Sequence, residues 1–190
     1  MRSGDATRER IKHSALTLFV RSGVDGTGVR EIAKASNITE GAIYRHFAGK
    51  DELVWTLFAD NFVDYAEKLD ELQRGEHGTA NKLAAIVHSF CALFDADEKL
   101  FRFLMLVQHG QLAKVTPDMK TPFQVLQAVI CEGIEAGDVG YTDATAATAA
   151  VIGIVLQTAT FKIDGRLDDT MTSRAGLLAT ACQNAIAVKA

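Results

Sequence analysis

Thr39, Glu40, Gly41, Ala42, Tyr44, Arg45 and His46 follow one another in a single short stretch, with Lys50 just beyond. These residue types suit one chemistry, the reading of a DNA surface. An arginine grips the O6 and N7 of guanine with two parallel hydrogen bonds, and tyrosine, histidine and lysine donate to phosphate oxygens. Gly41 and Ala42 are small enough to bring a helix backbone close to base edges. Glu40 accepts from a cytosine amino group or favours a helix N-terminus. Each residue alone reads as an ordinary surface residue of a helix. Their crowding onto one turn is what points to nucleic acid.

Two short helices must position these groups. Val29, Ile32 and Ala33 fall at i, i+3 and i+4, one face of a helix. Ser36-Asn37 breaks that pattern, because both side chains compete for backbone hydrogen bonds and Asn tolerates a left-handed conformation. Thr39 is a good N-cap for a second helix in which Ile43 and Phe47 share a face, with Ile38 as a hydrophobic staple. Helices this short do not stabilise themselves, and a tight turn sets them steeply across one another. The pattern predicts a helix-turn-helix whose second helix enters a major groove.

Across residues 8–53 the sequence resembles the DNA-binding domain of the tetracycline-repressor (TetR) family of bacterial regulators. The matching segments are ALTLFVRSGVDGT (15–27), VREIAKASNIT (29–39), EGAIYRHF (40–47) and KDEL (50–53). Gly28 departs from the family, which carries Ser or Thr there, and this leaves the cap of that helix and one phosphate contact open. The resemblance implies a DNA-contact set of Thr27, Arg30, Thr39, Glu40, Gly41, Ala42, Tyr44, Arg45, His46 and Lys50. It also implies a repressor that binds a palindromic operator as a dimer and is released by a small molecule held in a helical C-terminal domain.

Charge is divided in a way that fits. The chain of 190 residues has a formal net charge of −4. Residues 1–50 hold nine Lys/Arg against five Asp/Glu, a net of +4, and residues 51–190 hold eleven against nineteen, a net of −8. A basic end on an acidic body marks a local nucleic-acid surface. Cys91, Cys131 and Cys182 are too few and odd in number for a disulfide framework. Residues 1–12 are polar and lack the apolar core of an export signal, so a cytoplasmic protein is expected.

The rest of the chain reads as helical throughout, giving an all-α fold of about nine helices. Residues 1–50 form the helix-turn-helix domain and residues 51–190 a helical effector-binding and dimerisation domain. Asp5 or Thr7 caps a first helix over 8–21. A long helix runs from Lys50 to about Gln73, Thr79 caps another to Phe94, and Asp97 caps one to His109. Thr121 and Pro122 open a helix to Ala136, Asp143 one to Ile163, and Asp168 or Asp169 the last. Residues 144–161 are long and apolar enough to suggest a membrane span. Their threonines, Gln157, many alanines and the lack of flanking Arg/Lys asymmetry favour a buried helix instead.

The helices after residue 79 carry Phe90, Phe94, Phe101, Met105, His109, Phe123, Gln127 and Gln157, apolar groups with a few polar ones, the make-up of a small-molecule site. An apolar or aromatic effector fits this lining. Small residues at Ala146, Ala150, Gly153, Ala179, Ala181 and Ala185 predict a homodimer through 143–163 and 169–188. Glycine-rich phosphate loops and hydrolase or metalloprotease motifs are absent, so no enzyme, cofactor or metal is expected. His88 and Cys91 share a helix face, but two residues make no metal site.

Overall fold

A computed structural model describes the backbone of residues 3–107 and 109–188 and the side chains of residues 4–106 and 110–188. Among these residues there are ten α-helices and no strand. They divide into two compact units, one made of the chain up to Asn61 with Lys99–Val115, the other of Phe62–Glu98 with the chain from Thr116 onward. This division differs from a single cut at residue 50, because packing, not chain order, decides which unit a segment joins.

The first unit is built on α1 (Ser3–Ser22), α2 (Val29–Ala35), α3 (Glu40–Tyr44) and the start of α4 (Lys50–Arg74). Ile11, Ala15, Phe19, Ile32, Ile43, Phe47, Leu53 and Phe58 form its buried core. Because α1 already begins at Ser3, Asp5 and Thr7 lie inside its first turns and do not cap it. Lys99–Val115 joins this unit as α6 (Glu98–Arg102), a π-helical turn (Phe103–Val107) and α7 (His109–Leu112), with the Phe103 ring stacked 6.1 Å from that of Phe19. The single helix expected between Asp97 and His109 is thus broken in three. A π turn admits one extra residue and re-aims the side chains after it.

The second unit is made of the later half of α4 with α5 (Thr79–Ala96), α8 (Pro122–Glu135), α9 (Ala144–Ile163) and α10 (Met171–Ile186). Thr121 caps α8 with Pro122 at its first position, as the sequence predicts, and Gln124 completes a reciprocal capping box. Asp143 caps α9 by accepting from the N–H groups of Thr145 and Ala146. Two other caps shift. Gly78 is the N-cap of α5, which frees Thr79 Oγ1 to donate to Asp138, and Thr170, not Asp168 or Asp169, caps α10. The α9 helix is long and apolar enough to cross a membrane. Here one of its faces, with Ala147, Val151, Val155 and Ala159, is buried against α5, α8 and α10.

Asp70 ties α4 to the segment before α8. Its buried carboxylate accepts from Gln73 Nε2 at 2.9 Å, from Lys120 Nζ and from Arg74, whose Nη2 is 2.7 Å away. Burial alone would raise its pKa, but the hydrogen bonds from Lys120 and Gln73 and the two cations outweigh burial and hold it below the usual carboxylate range. A depressed folded value contributes stability that is present above the unfolded value of about 3.9 and is lost as pH falls through the folded one. Melting curves from pH 6 to pH 3 should therefore fall less steeply for Asp70→Asn than for the unaltered protein.

Candidate nucleic-acid interface and effector cavity

The turn between α2 and α3 closes by backbone geometry alone. Asn37 adopts φ 52°, the left-handed region. Its N–H donates to the Lys34 carbonyl at 3.1 Å, and that of Ile38 to the Ala33 carbonyl at 3.0 Å. This paired 5→2 and 6→1 arrangement is a Schellman stop, satisfied by an Asn where Gly is commoner. Thr39 then caps α3, its Oγ1 accepting from the Ala42 N–H at 3.2 Å. At the start of α2, Gly28 offers no capping hydroxyl. The Glu31 carboxylate compensates on its side by accepting from the Gly28 N–H at 2.9 Å.

This frame turns the core residues of α3 inward and its polar ones outward. Ile43 and Phe47 are buried, while Glu40, Gly41, Tyr44 and Arg45 are exposed and Ala42 and His46 half-buried. Tyr44 shows 54% of its surface, so its ring and hydroxyl are open to a partner. Arg30 and Thr39 are also exposed. The exposed set thus lies on α3 and its two ends, with Arg30 on α2.

Two residues of the expected contact set do other work. Thr27 is 1% exposed, and its hydroxyl donates to the Gly23 carbonyl at 2.8 Å, which fixes the loop before α2. Lys50 Nζ donates to the carbonyls of Val24 and Thr27 at 3.0 and 3.2 Å. From the start of α4 it pins that same loop, and we take this backbone role as its main one. Lys50→Ala should therefore cost about 1–2 kcal/mol of thermal or denaturant stability, the loss of charge-assisted hydrogen bonds. The salt slope of DNA binding should stay unchanged, whereas loss of a phosphate contact would flatten it by about one unit.

In the second unit, a cavity of ≈ 10 Å³ lies among Ile86, Val87 and Phe90 of α5, Phe123 and Leu126 of α8, and Val151, Ile152, Val155 and Leu156 of α9. Every lining side chain is apolar, and the space holds no more than one water. Phe90 and Phe123 are thus the members of the expected effector set that line it. Phe94 is buried in the same unit away from the lining, whereas Phe101 and Met105 are buried in the first unit. The break at Asp97 sends that segment elsewhere. Gln127 donates to Thr145 Oγ1 at 3.0 Å near the surface, and Gln157 is exposed. The side chain of His109 lies outside the described residues. Val151, Val155, Leu126 and Ile86 escaped the sequence reading because aliphatic lining has no signature distinct from core.

Cys91 is fully buried while His88 faces solvent, so the two do not form a site. Burial, with the Asp95 charge added, pushes the Cys91 thiol up to about 11, away from the thiolate that nucleophilic or redox chemistry needs. Among the described residues no three His, Cys, Asp or Glu side chains converge to hold a metal.

Comparison with known proteins agrees with this geometry. Residues 11–55 match the model of the family described as bacterial regulatory proteins, tetR family. The fatty acid metabolism regulator protein of Bacillus subtilis (strain 168) is 23% identical over 168 residues, 86% of this chain and 81% of the relative. The HTH-type transcriptional regulator AcrR of Shigella flexneri is 47% identical over 58 residues, 29% of this chain and 27% of its own length. The crystal structure of the transcriptional regulator FadR from Bacillus subtilis in complex with stearoyl-CoA superposes with a TM-score of 0.80 at 20% identity, covering 94% of this chain and 98% of that one. That likeness shows a shared fold along the chain.

Proposed function

We infer that this chain, whose residues 11–55 carry the DNA-binding domain of the tetR family, is a transcriptional regulator that represses by holding an operator and releases it when a small molecule binds. The observation that carries this reading is the exposed run Glu40, Gly41, Tyr44 and Arg45 on a helix whose other face is locked by Ile43 and Phe47. The protein works in the bacterial cytoplasm, where its operator is. Its relatives are transcriptional regulators.

DNA binding needs two recognition helices. The outer faces of α9 and α10 leave Ala146, Gly153, Ala185 and the large side chains Phe161 and Leu177 in solvent, Leu177 at 67% exposure. An apolar face of this kind on adjacent helices is suited to a second copy of itself about a two-fold axis. Ala179, placed in that interface by its spacing, is buried in its own unit and does not contribute. A dimer presents its α3 helices to successive major grooves, so the operator is a near-palindrome with half-sites about 34–36 Å apart.

The effector enters between α5, α8 and α9. The lining is aliphatic and aromatic without a polar group, which suits a hydrocarbon chain. The structural neighbour that holds stearoyl-CoA supports a long-chain acyl compound as the first to try. A cavity of ≈ 10 Å³ must open to take such a ligand, since sites for molecules of that size run to about 300–1,000 Å³. The closed form is the operator-binding one. We take α4, one helix with residues in both units, as the element that links effector binding to release of the operator.

The test is mutation of Arg45. Arg45→Ala should relax base preference at one position of each half-site and cost about 1–3 kcal/mol in operator binding, measured against duplexes altered base by base. A uniform loss on every sequence would place Arg45 on a phosphate and the base reading on Glu40, Ala42 or Tyr44.

A further inference from the structure

We propose that Arg8, on α1, is a positioning residue that sets the angle of the recognition helix and thereby the fidelity of base reading. This rests on the DNA-binding function assigned above. The α3 helix spans Glu40–Tyr44, far too short to hold its own direction, so that direction is imposed at its ends. The N-terminal end is held by the Asn37 turn and the Thr39 cap.

At the other end the chain leaves the helix through His46 and Phe47, whose N–H groups both donate to the Ile43 carbonyl. The His46 carbonyl accepts from Arg8 Nη1 at 2.5 Å. The same guanidinium lies with its central carbon 4.1 Å from the centroid of the Phe47 ring, which is itself 1% exposed. One side chain, 38 residues earlier in sequence, thus grips both the backbone and the buried anchor of the turn that ends the recognition helix. Tyr44 and Arg45 sit immediately before this grip, so their reach to base edges depends on it.

The chemistry asks for arginine in particular. A planar guanidinium stacks on a ring while donating in its own plane, and a lysine ammonium, a flexible point charge, does not do both. This separates positioning from simple charge. A phosphate contact survives Arg8→Lys, whereas a stacked and hydrogen-bonded clamp is kept only in part.

The experiment compares the unaltered protein, Arg8→Lys and Arg8→Gln. Each is titrated against a selected operator duplex and against one with the base pairs facing Tyr44 and Arg45 exchanged, over a range of salt. Thermal melts are recorded alongside. The expected result is a fall of about tenfold in the ratio of the two affinities for Arg8→Gln, the lower part of the range for one base contact, with Arg8→Lys intermediate and the salt slope of both variants unchanged. Three results would overturn the proposal. An equal loss on both duplexes with a salt slope flatter by about one unit in Arg8→Gln, and none in Arg8→Lys, makes Arg8 a phosphate contact. An unchanged ratio with only a lowered melting temperature makes it structural. Failure of the unaltered protein to distinguish the duplexes removes the base-reading function itself, and this inference with it.

Discussion

Gly153→Glu should turn the protein into monomers and weaken its hold on a two-half-site operator by about 10²–10⁴-fold, the range gained when two binding events are linked. Gly153 is exposed on α9, and a Cβ added there meets nothing within 4 Å. The isolated fold therefore accepts the new side chain, and any effect arises between copies. In a two-fold interface each copy contributes one such carboxylate to a face of small and apolar residues. Two like charges taken out of water together cost more than an apolar helix contact returns. Sedimentation equilibrium at micromolar concentration reads the assembly, and melting curves show that the fold survives. A monomeric unaltered protein, or a dimeric Gly153→Glu variant, would place the interface on another face.

Leu156→Trp should abolish response to the effector while leaving operator affinity near its starting value. Leu156 lines the cavity yet is half-exposed, so an indole can lie across the opening without overpacking the interior. A ligand shifts an equilibrium only by its differential affinity for the two forms, and the coupling runs both ways. For the unaltered protein, operator DNA should weaken binding of an acyl-CoA such as stearoyl-CoA by the same factor by which that ligand weakens DNA binding, about 5–150-fold. Calorimetric titration with and without operator reads this. Identical affinities would exclude that compound as the effector. Loss of DNA binding together with response would show that Leu156 is part of the folded core only.

The DNA-reading half of the molecule was legible in the sequence because its parts are local. The Asn37 stop, the Thr39 cap and the Ile43/Phe47 stripe each depend on residues within one or two turns, so spacing alone reveals them. The loop-fixing roles of Lys50 and Thr27 were hidden for the opposite reason. Their partners are the carbonyls of Val24 and Thr27 and of Gly23 and Leu18, and only the folded loop shows that those oxygens need a donor. Arg8 escaped notice likewise, since its partner lies 38 residues away.

The effector half was less legible. The all-α character and most of the long helices follow from periodicity and caps, whereas the break of the 97–109 segment into three does not, and a cavity is a gap among side chains of different helices. Phe101 and Met105 have the same composition signal as Phe90 and Phe123. The break at Asp97 and the π turn at Phe103–Val107 decide which of them face the cavity. Gln127 looked like a polar group inside an apolar site and proves to be a surface tie to Thr145.

The central claim is sequence-specific DNA binding by a dimer, and selection of bound duplexes from a random pool tests it most directly. The account predicts enrichment of one near-palindrome with half-sites about one helical turn apart. Anisotropy titrations at physiological salt should then show binding at least about 10³-fold tighter than to arbitrary DNA, with affinity falling linearly in log salt. A pool that emerges without an enriched sequence, or binding no tighter to the winners than to arbitrary duplex, would contradict it.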